Sequence, residues 1–286
     1  MSFRSSLVSS IETLRTLLYR GPIKRTVRAL GIESRLRTAY SRVLGGVSDE
    51  DIVTHEIGGV TAAYNVSSGL EVQRFRHLMA ESDVIETLLD DVKADDVFYD
   101  VGANVGLYTC FLSQVVDETV AFEPHPKNLQ RLKENIELND LSNVYVRSEA
   151  LSDADGTAEL AVKGASVAGE GTHSLATGAE NRSVEIETAR GDSLDDVPPP
   201  DVVKIDVEGA ELNVLRGLER SLADCRLCYV EVHPDRIGKY GGTANDVREF
   251  LSDLEFDVES IYEREDEEYF LKAQRRSSNE RGVFEG

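Results

Sequence analysis

Two segments of the chain place an acidic residue at the end of an apolar run, a pattern typical of ligand sites in α/β proteins. The first, VFYDVGANVG, contains Asp100, Gly102, Asn104 and Gly106. Gly102 allows the backbone to approach a ligand closely, and Gly106 allows a helix to begin close to the strand. The glycines are four residues apart, which differs from the spacing in dinucleotide-binding turns. An acid at position 100 instead suits a ligand with a positive amino group or a sulfonium.

The second segment, AFEP, ends the next apolar run with Glu123. An acid at the end of a second strand accepts hydrogen bonds from the two hydroxyls of a ribose. Together the segments predict a site for S-adenosylmethionine (SAM) between Asp100 and Glu123, with Phe122 or Pro124 against the adenine. Each acid alone has a simpler interpretation, a helix N-cap for Asp100 and a solvated loop acid for Glu123.

Polar residues also end two later apolar runs, where an acceptor would meet the methyl donor. Methyl transfer requires aligned reactants and exclusion of water, and a hydroxyl acceptor also needs a base. We expect Asp206 and Glu208 to lie beside Glu231 and His233, because these strands are predicted neighbours. His233 is the predicted base, since its ordinary pKa lies near neutrality. Asp206 and Glu208 are the other predicted catalytic residues, and Asp206 is also a predicted cofactor contact.

These polar residues also have structural interpretations that stay open. His233 is alternatively a capping histidine held by Pro234, and one acid of the segment EGAE at 208–211 alternatively caps a helix. Lys204 is predicted to be a buried cation paired with Glu231 or another acid. Asp206, Glu208, Glu231 and His233 offer ligands to a divalent ion, but without a tight ligand spacing we predict no metal. A redox or zinc role is not expected for Cys225 and Cys228 either, because they lack a partner pair.

The elements that must position these residues alternate between apolar strands and amphipathic helices. This rhythm predicts a doubly wound α/β domain with a mostly parallel sheet and an antiparallel C-terminal hairpin. We divide the chain into a basic helical extension at 1–50 and a catalytic domain at 51–286, with an insertion at 156–190 and a loop at 164–178. The predicted core strands are Val97 to Val101, Thr119 to Glu123, Asn143 to Arg147, Val202 to Asp206 and Leu227 to Val232. Outside these strands we predict a turn at Gly58 and Gly59, a helix from Glu211 to Leu222, and strands at 157–162 and 183–188.

The sequence resembles the FkbM family of SAM-dependent methyltransferases. The resemblance is carried by FYDVGANVGLYT (98–109), AFEPHP (121–126), KIDVEGAE (204–211) and EVHP (231–234), and it runs from about Ile52 to Ala273. It implies a seven-stranded sheet and methyl transfer, usually to an oxygen of a sugar or a hydroxylated small molecule. It also implies cofactor contacts by Asp100, Gly102, Asn104 and Glu123, with the adenine near 150–153.

Charge is distributed unevenly along the chain. The formal net charge is −22, which argues against a nucleic-acid partner, whereas residues 1–45 carry a net charge of +7. Apolar residues at helical spacing in that segment favour helices docked on the acidic body. The alternative is a basic amphipathic helix on an anionic membrane face. The chain has no apolar run long enough for a membrane span, so we expect a cytoplasmic protein, peripheral at the inner membrane face under that alternative.

The sequence therefore predicts O-methylation of a sugar, a glycan or a similar small hydroxylated acceptor, which is lipid-linked if the basic segment contacts a membrane. Two other functions remain. An NAD-dependent oxidoreductase is disfavoured by the glycine spacing and by Asp100. A non-catalytic SAM-binding protein would bind the cofactor without transferring the methyl group.

Overall fold

The computed structural model describes residues 52–66, 81–161, 174–175, 183–263 and 268–276. The predicted helical extension at 1–50 and most of the predicted loop at 164–178 lie outside these residues. The described chain opens with an antiparallel hairpin of β1 (Ile52–Ile57) and β2 (Val60–Asn65). Gly58 and Gly59 form its turn, as predicted, and both have positive φ, at 57° and 79°.

The core begins with helix α1 and then alternates strands and helices. Its first half consists of α1 (Glu81–Asp91), β3 (Val97–Val101), α2 (Leu107–Leu112), β4 (Glu118–Phe122), α3 (Pro126–Leu138) and β5 (Val144–Arg147). Its second half consists of β10 (Val202–Ile205), α4 (Glu211–Gly217), β11 (Leu227–Val232), α5 (Pro234–Ile237), α6 (Ala244–Asp253), β12 (Phe256–Glu263) and β13 (Tyr269–Arg275).

The central sheet has seven strands in the order β12-β13-β11-β10-β3-β4-β5. Strands β11, β10, β3, β4 and β5 pair in parallel, whereas β13 runs antiparallel to both β11 and β12. The predicted mostly parallel α/β sheet and its antiparallel C-terminal hairpin are thus confirmed. Strands β10 and β3 are neighbours, so their carboxyl ends, like those of β4 and β11, lie along one edge.

Helices cover both faces of this sheet, which is why its strands are nearly continuous apolar runs. On one face, α4 and α6 bury residues such as Leu215 and Leu251 against Val203 and Val230. On the other face, α1, α2 and the hairpin pack around Phe98, as shown by the cluster of Tyr64, Ile85 and Phe111. Each face of the sheet therefore has its own hydrophobic core. The polar residues lie at the carboxyl ends of the strands, between these two cores.

A smaller sheet of four strands, in the order β6-β9-β7-β8, follows β5 in the chain. It contains β6 (Ala150–Ser152), β7 (Gly156–Ala161), β8 (Ser174–Leu175) and β9 (Ser183–Arg190). Strand β6 pairs in parallel with β9, and β7 pairs antiparallel with both β8 and β9. Strands predicted at 157–162 and 183–188 correspond to β7 and β9.

Helix α4 ends earlier than its apolar periodicity predicts. Helix α4 stops at Gly217, not at Leu222, and a short 3-10 turn follows at Ser221–Ala223. A Cβ atom at position 217 would lie 1.9 Å from the carbonyl oxygen of Ser152, so the backbone of β6 approaches the helix too closely for a longer side chain. The apolar residues continue at helical spacing beyond Gly217 because residues after the helix, such as Leu222, pack into the same hydrophobic core.

Candidate functional site

A cleft of about 680 Å³, counting the part open to solvent, lies at the carboxyl ends of β3, β4 and β10. This is the sheet edge at which α/β proteins hold ligands. The cleft combines predicted site residues with apolar side chains of the smaller sheet. Its lining comprises Val101, Gly102, Asn104, Phe122, Glu123, Pro124, Asn128, Glu149, Ala150, Leu151, Leu160, Asp206, Val207, Glu208 and Ala210.

Gly102 brings the ends of β3 and β10 together. It has a φ of 79°, and a Cβ atom there would lie 1.9 Å from the carbonyl oxygen of Asp206. The amide groups of Gly102 and Ala103 both donate to the carbonyl oxygen of Phe122, which ties the same turn to β4. The close neighbour of Gly102 is thus the backbone that follows β10, and the approach of Gly102 to a ligand stays a prediction.

Glu123 forms the floor of the cleft at the end of β4. Its carboxylate accepts hydrogen bonds from the backbone amides of Asn104 and His125, each at 2.8 Å. The residue is only 5% exposed, so the alternative of a solvated loop acid is wrong. Burial raises the pKa of Glu123 to about 7, although the hydrogen bonds from His125, Asn104 and Asn128 and the charge of Lys204 lower it.

Asn104 lies between the two acids and has an unusual backbone. Its φ of 54° is in the left-handed region, which costs a non-glycine residue energy unless local contacts fix it. The hydrogen bond from its amide to Glu123 is such a contact. The side-chain oxygen of Asn104 is buried and accepts no hydrogen bond from the part of the chain that the structure describes. It therefore offers an acceptor to a ligand in the cleft.

Asp100 is bonded to other residues of the chain. Its Oδ2 accepts hydrogen bonds from the backbone amide and hydroxyl of Thr109, at 3.0 and 2.6 Å, and its Oδ1 lies 3.1 Å from the ammonium of Lys204. The residue is fully buried and is not among the described residues that line the cleft. Gly106, and not Asp100, is the N-cap residue of α2, and the cofactor contact of Asp100 stays a prediction.

Gly106 is likewise a packing residue and does not line the cleft. It precedes α2 with a φ of 89°, and a Cβ atom there would lie 2.7 Å from a methyl group of Leu132. Because Leu132 belongs to α3, this glycine allows α2 to approach a neighbouring helix. We expected the close neighbour to be the preceding strand, so this reason for Gly106 was wrong.

His233 follows β11 and is held by an acid that the sequence interpretation treated only as a cap. Its Nδ1 lies 2.7 Å from Oε1 of Glu211, the first residue of α4. Its Nε2 lies 3.9 Å from Asp206 and 3.8 Å from Glu208. The ring makes no capping hydrogen bond to α5, so the alternative of a capping histidine is wrong. The expected grouping of His233 with Asp206 and Glu208 is present.

The charges around His233 change its protonation state. Burial lowers the pKa of His233, but the hydrogen bond to Glu211 and the charges of Asp206, Glu211 and Glu231 outweigh it and raise the pKa to about 9. The imidazole is thus an imidazolium at neutral pH. We predicted a base with an ordinary pKa, and that premise does not hold for the ligand-free chain.

Two internal cations accompany these acids. Lys204 is buried and lies 3.1 Å from Asp100 and 3.8 Å from Asp206, so its predicted pairing with an acid is confirmed. Arg236 contacts Glu208 and lies 2.9 Å from Glu268. Glu208 itself has a positive φ of 58° beside Gly209, where a Cβ atom would be 2.8 Å from Arg236. The strained turn therefore fixes the position of the Glu208 carboxylate against α5.

Three of the four residues considered as metal ligands come together in space. One donor atom each from Asp206, Glu208 and His233 lie within 4.8 Å of one another, and His233 also groups with Glu231 and Glu268. The reason for predicting no metal, a lack of tight spacing along the chain, does not apply to the folded arrangement.

Several residues of the site escaped the sequence interpretation. Asn128, Glu149 and Leu160 line the cleft, but only the position of β6 and β7 over the sheet edge reveals the last two. Glu149 also forms an ion pair with Arg147 at 2.6 Å. Cys225 and Cys228 are buried free thiols, and burial raises the pKa of Cys225 to about 12, which is consistent with a structural role.

Comparisons with known proteins agree on one type of enzyme. A family model described as the methyltransferase FkbM domain matches residues 100–258. The hexuronic acid methyltransferase AglP of Haloferax volcanii is 34% identical over 241 residues, which cover 83% of this chain and 95% of that protein. Methyltransferase 1 of Beauveria bassiana is 29% identical over 147 residues, covering 44% of this chain and 59% of that one.

The crystal structure of a methyltransferase FkbM from Methylobacillus flagellatus is also similar in fold. Its TM-score is 0.47 at 16% identity, and the match covers 66% of this chain and 46% of that protein. Within the described residues, no helix of this chain combines the length and hydrophobicity required to cross a membrane.

Proposed function

We propose that this chain, which belongs to the FkbM methyltransferase family, binds SAM in the cleft and methylates an oxygen atom of a sugar acid. The observation that supports this proposal is the shared cleft. Glu123 and Asn104 line it together with Asp206 and Glu208, which lie next to His233. The sugar-acid acceptor is proposed by analogy with the relative named a hexuronic acid methyltransferase.

Two of these residues, Glu123 and Asn104, fit the cofactor. Glu123 offers a buried carboxylate to ribose hydroxyls, and Asn104 offers an acceptor oxygen that is otherwise unused in the described structure. Phe122, Pro124 and Leu151 supply apolar surface for an adenine ring. When bound, SAM supplies a methyl group on a positively charged sulfur, which is open to in-line attack by an oxygen. Lys204, which pairs with Asp100, also donates a hydrogen bond of 3.3 Å to the carbonyl oxygen of Gly102 and so supports the turn that lines the cleft.

For a hydroxyl acceptor, His233 is the proposed base and Glu211 its positioning residue. The ring accepts a proton only in its neutral form, and with a pKa raised to about 9 the neutral fraction grows as the pH rises toward that value. Transfer to a hydroxyl should therefore accelerate about tenfold per pH unit between pH 7 and 9 and then level off. His233→Gln should remove this dependence and leave SAM affinity unchanged.

A carboxylate acceptor is a second candidate, and the protonated state of His233 favours it. A carboxylate is already ionised at neutral pH and needs no base, while an imidazolium stabilises its negative charge. In that case the rate should be nearly independent of pH between 7 and 8 and should fall above pH 9, when His233 loses its proton.

One product analysis separates the two acceptors. Hexuronic acids are incubated with SAM labelled in the methyl group, and the labelled product is treated with mild alkali. A methyl ester releases the label as methanol, whereas a methyl ether keeps it. Absence of labelled product with any hexuronic acid or glycan that carries one, from a chain that binds SAM, would refute the proposed function and favour a SAM-binding protein without transfer activity.

A lipid-linked acceptor and a cytoplasmic location at the inner membrane face belong to a separate proposal. It rests on the basic residues at 1–45, whose net charge of +7 suits an anionic surface. Deletion of residues 1–45 should then abolish binding to vesicles of anionic lipid and preserve SAM binding. If vesicle binding is unchanged by the deletion, the membrane proposal is wrong and the docked-helix interpretation stands.

A further inference from the structure

We propose that Asp206, Glu208 and His233 form a binding site for a divalent cation of the Mn²⁺ class at the acceptor side of the cleft. Their donor atoms lie within 4.8 Å of one another, a distance that one ion can span. Asp206 and Glu208 line the cleft, so an ion held there is within reach of an acceptor. The metal site stands on this geometry alone, whereas its contact with a sugar acid rests on the proposed function. An ion bound to Nε2 takes the place of the proton there, so in the metal-bound state His233 is neither an imidazolium nor a base, and the ion itself attracts the acceptor.

The histidine is oriented as metal-binding histidines are. Glu211 holds Nδ1 at 2.7 Å, which turns the Nε2 atom of a side chain that is 3% exposed toward Asp206 and Glu208. Hydrogen bonding from the far ring nitrogen to a carboxylate is the usual way in which proteins orient a histidine ligand. The distances of 3.9 and 3.8 Å from Nε2 to the two acids exceed hydrogen-bond range, and they suit two ligands of a common ion.

Arg236 is the side chain with which a cation must compete. It contacts Glu208 directly, but Glu268 lies 2.9 Å from its other terminal nitrogen and retains it when Glu208 turns toward an ion. Glu208 also has a second carboxylate oxygen for this purpose. The change from the metal-free to the metal-bound state thus requires side chains to rotate but requires no strand to move.

The donor set selects the class of ion. Two carboxylates with one imidazole suit Mn²⁺ better than Mg²⁺ or Ca²⁺, which prefer oxygen ligands alone. Three protein ligands leave coordination positions open for oxygen atoms of an acceptor. A sugar acid, whose carboxylate would otherwise meet Asp206 and Glu208 with like charge, is attracted to an ion at this position.

Mn²⁺ binding to the full chain tests the site without reference to catalysis. Chelator-treated protein in high KCl, which screens weak binding to the acidic surface, is titrated with Mn²⁺ alone and followed by electron paramagnetic resonance. We expect a single saturable site whose affinity falls at least about tenfold in Asp206→Asn and about 10- to 100-fold in Glu211→Gln. The matched control is Asp91→Asn, because its side chain is 25% exposed compared with 19% for Asp206 and it is not among the described residues that line the cleft, so it should bind Mn²⁺ as the unmodified chain does.

The outcomes separate this site from the proposed function. Equal Mn²⁺ affinity in Asp206→Asn and the unmodified chain, or the absence of a saturable site in folded protein, overturns the metal proposal. Binding of S-adenosylhomocysteine, the demethylated donor, is measured on the same samples and reports that the cleft is intact. If methyl transfer to sugar acids is observed but no Mn²⁺ site is found, only the metal proposal is refuted. If a Mn²⁺ site is found but no methyl transfer is observed, only the proposed function is refuted.

Discussion

Removal of one partner from the buried pair of Lys204 and Asp100 is predicted to be among the most destabilising single substitutions in this chain. Lys204→Met removes the ammonium and keeps a side chain of similar length. Asp100 is fully buried, and its remaining partners are the amide and hydroxyl of Thr109. Removal of one partner from a buried ion pair costs about 3–5 kcal/mol, because the other charge stays uncompensated. That is a large fraction of the roughly 5–15 kcal/mol by which a folded protein is stable.

Urea denaturation followed by circular dichroism measures this cost as a shift of the unfolding midpoint. The control is Arg276→Met, which removes a cation from an ion pair with Asp257 on the surface and should barely shift the midpoint. The double variant Asp100→Asn/Lys204→Met should recover part of the loss, since no unpaired charge remains. If Lys204→Met and Arg276→Met lower the midpoint equally, the pair does not stabilise the fold as argued.

The remaining predictions concern the cofactor side of the cleft and the charged surface. Glu123 is the proposed acceptor of the ribose hydroxyls in its carboxylate form, and burial raises its pKa to about 7, so affinity for S-adenosylhomocysteine should fall about tenfold per pH unit below 7 and level off above 8. Titration calorimetry across this range checks the dependence, which should be absent from Glu123→Gln. Gly102→Ala should abolish that binding, because its Cβ atom would lie 1.9 Å from Asp206. Gly59→Ala, with the same φ of 79° and open space around it, should bind normally and change only the melting temperature. Added KCl should raise the melting temperature, since a net charge of −22 makes screening of self-repulsion favourable, and an unchanged melting temperature would contradict this.

The elements of the fold could be predicted because their signals are local. Leu227 to Val232 is apolar except for Glu231 and has the predicted bounds, since helices bury both sides of the strand. The turn at Gly58 and Gly59 was equally visible. Helix α4 ends at Gly217, where the backbone of Ser152, 65 positions away in the sequence, leaves no room for a side chain. Periodicity carries no information about a contact of that kind.

The site was only partly visible in the sequence for a similar reason. Glu123 ends its strand and lines the cleft, as its position after an apolar run indicates. Asp100 follows the same local pattern. The register between β3 and β10 places Lys204 directly opposite it, and the carboxylate of Asp100 forms an ion pair with this lysine. The high pKa of His233 likewise depends on Glu211, which only the packing of α4 against the end of β11 brings to the ring.

Binding of S-adenosylhomocysteine to the unmodified chain and to Glu123→Gln, measured by titration calorimetry at pH 8, tests the cofactor site most directly. We expect saturable binding by the unmodified chain and at least a tenfold weaker affinity in the variant, about 1.4 kcal/mol of binding free energy. Asn104→Ala should also weaken it, since the unused side-chain oxygen is lost. Absence of a binding isotherm for the unmodified chain, or equal affinities in all three proteins, would show that this cleft does not hold the methyl donor.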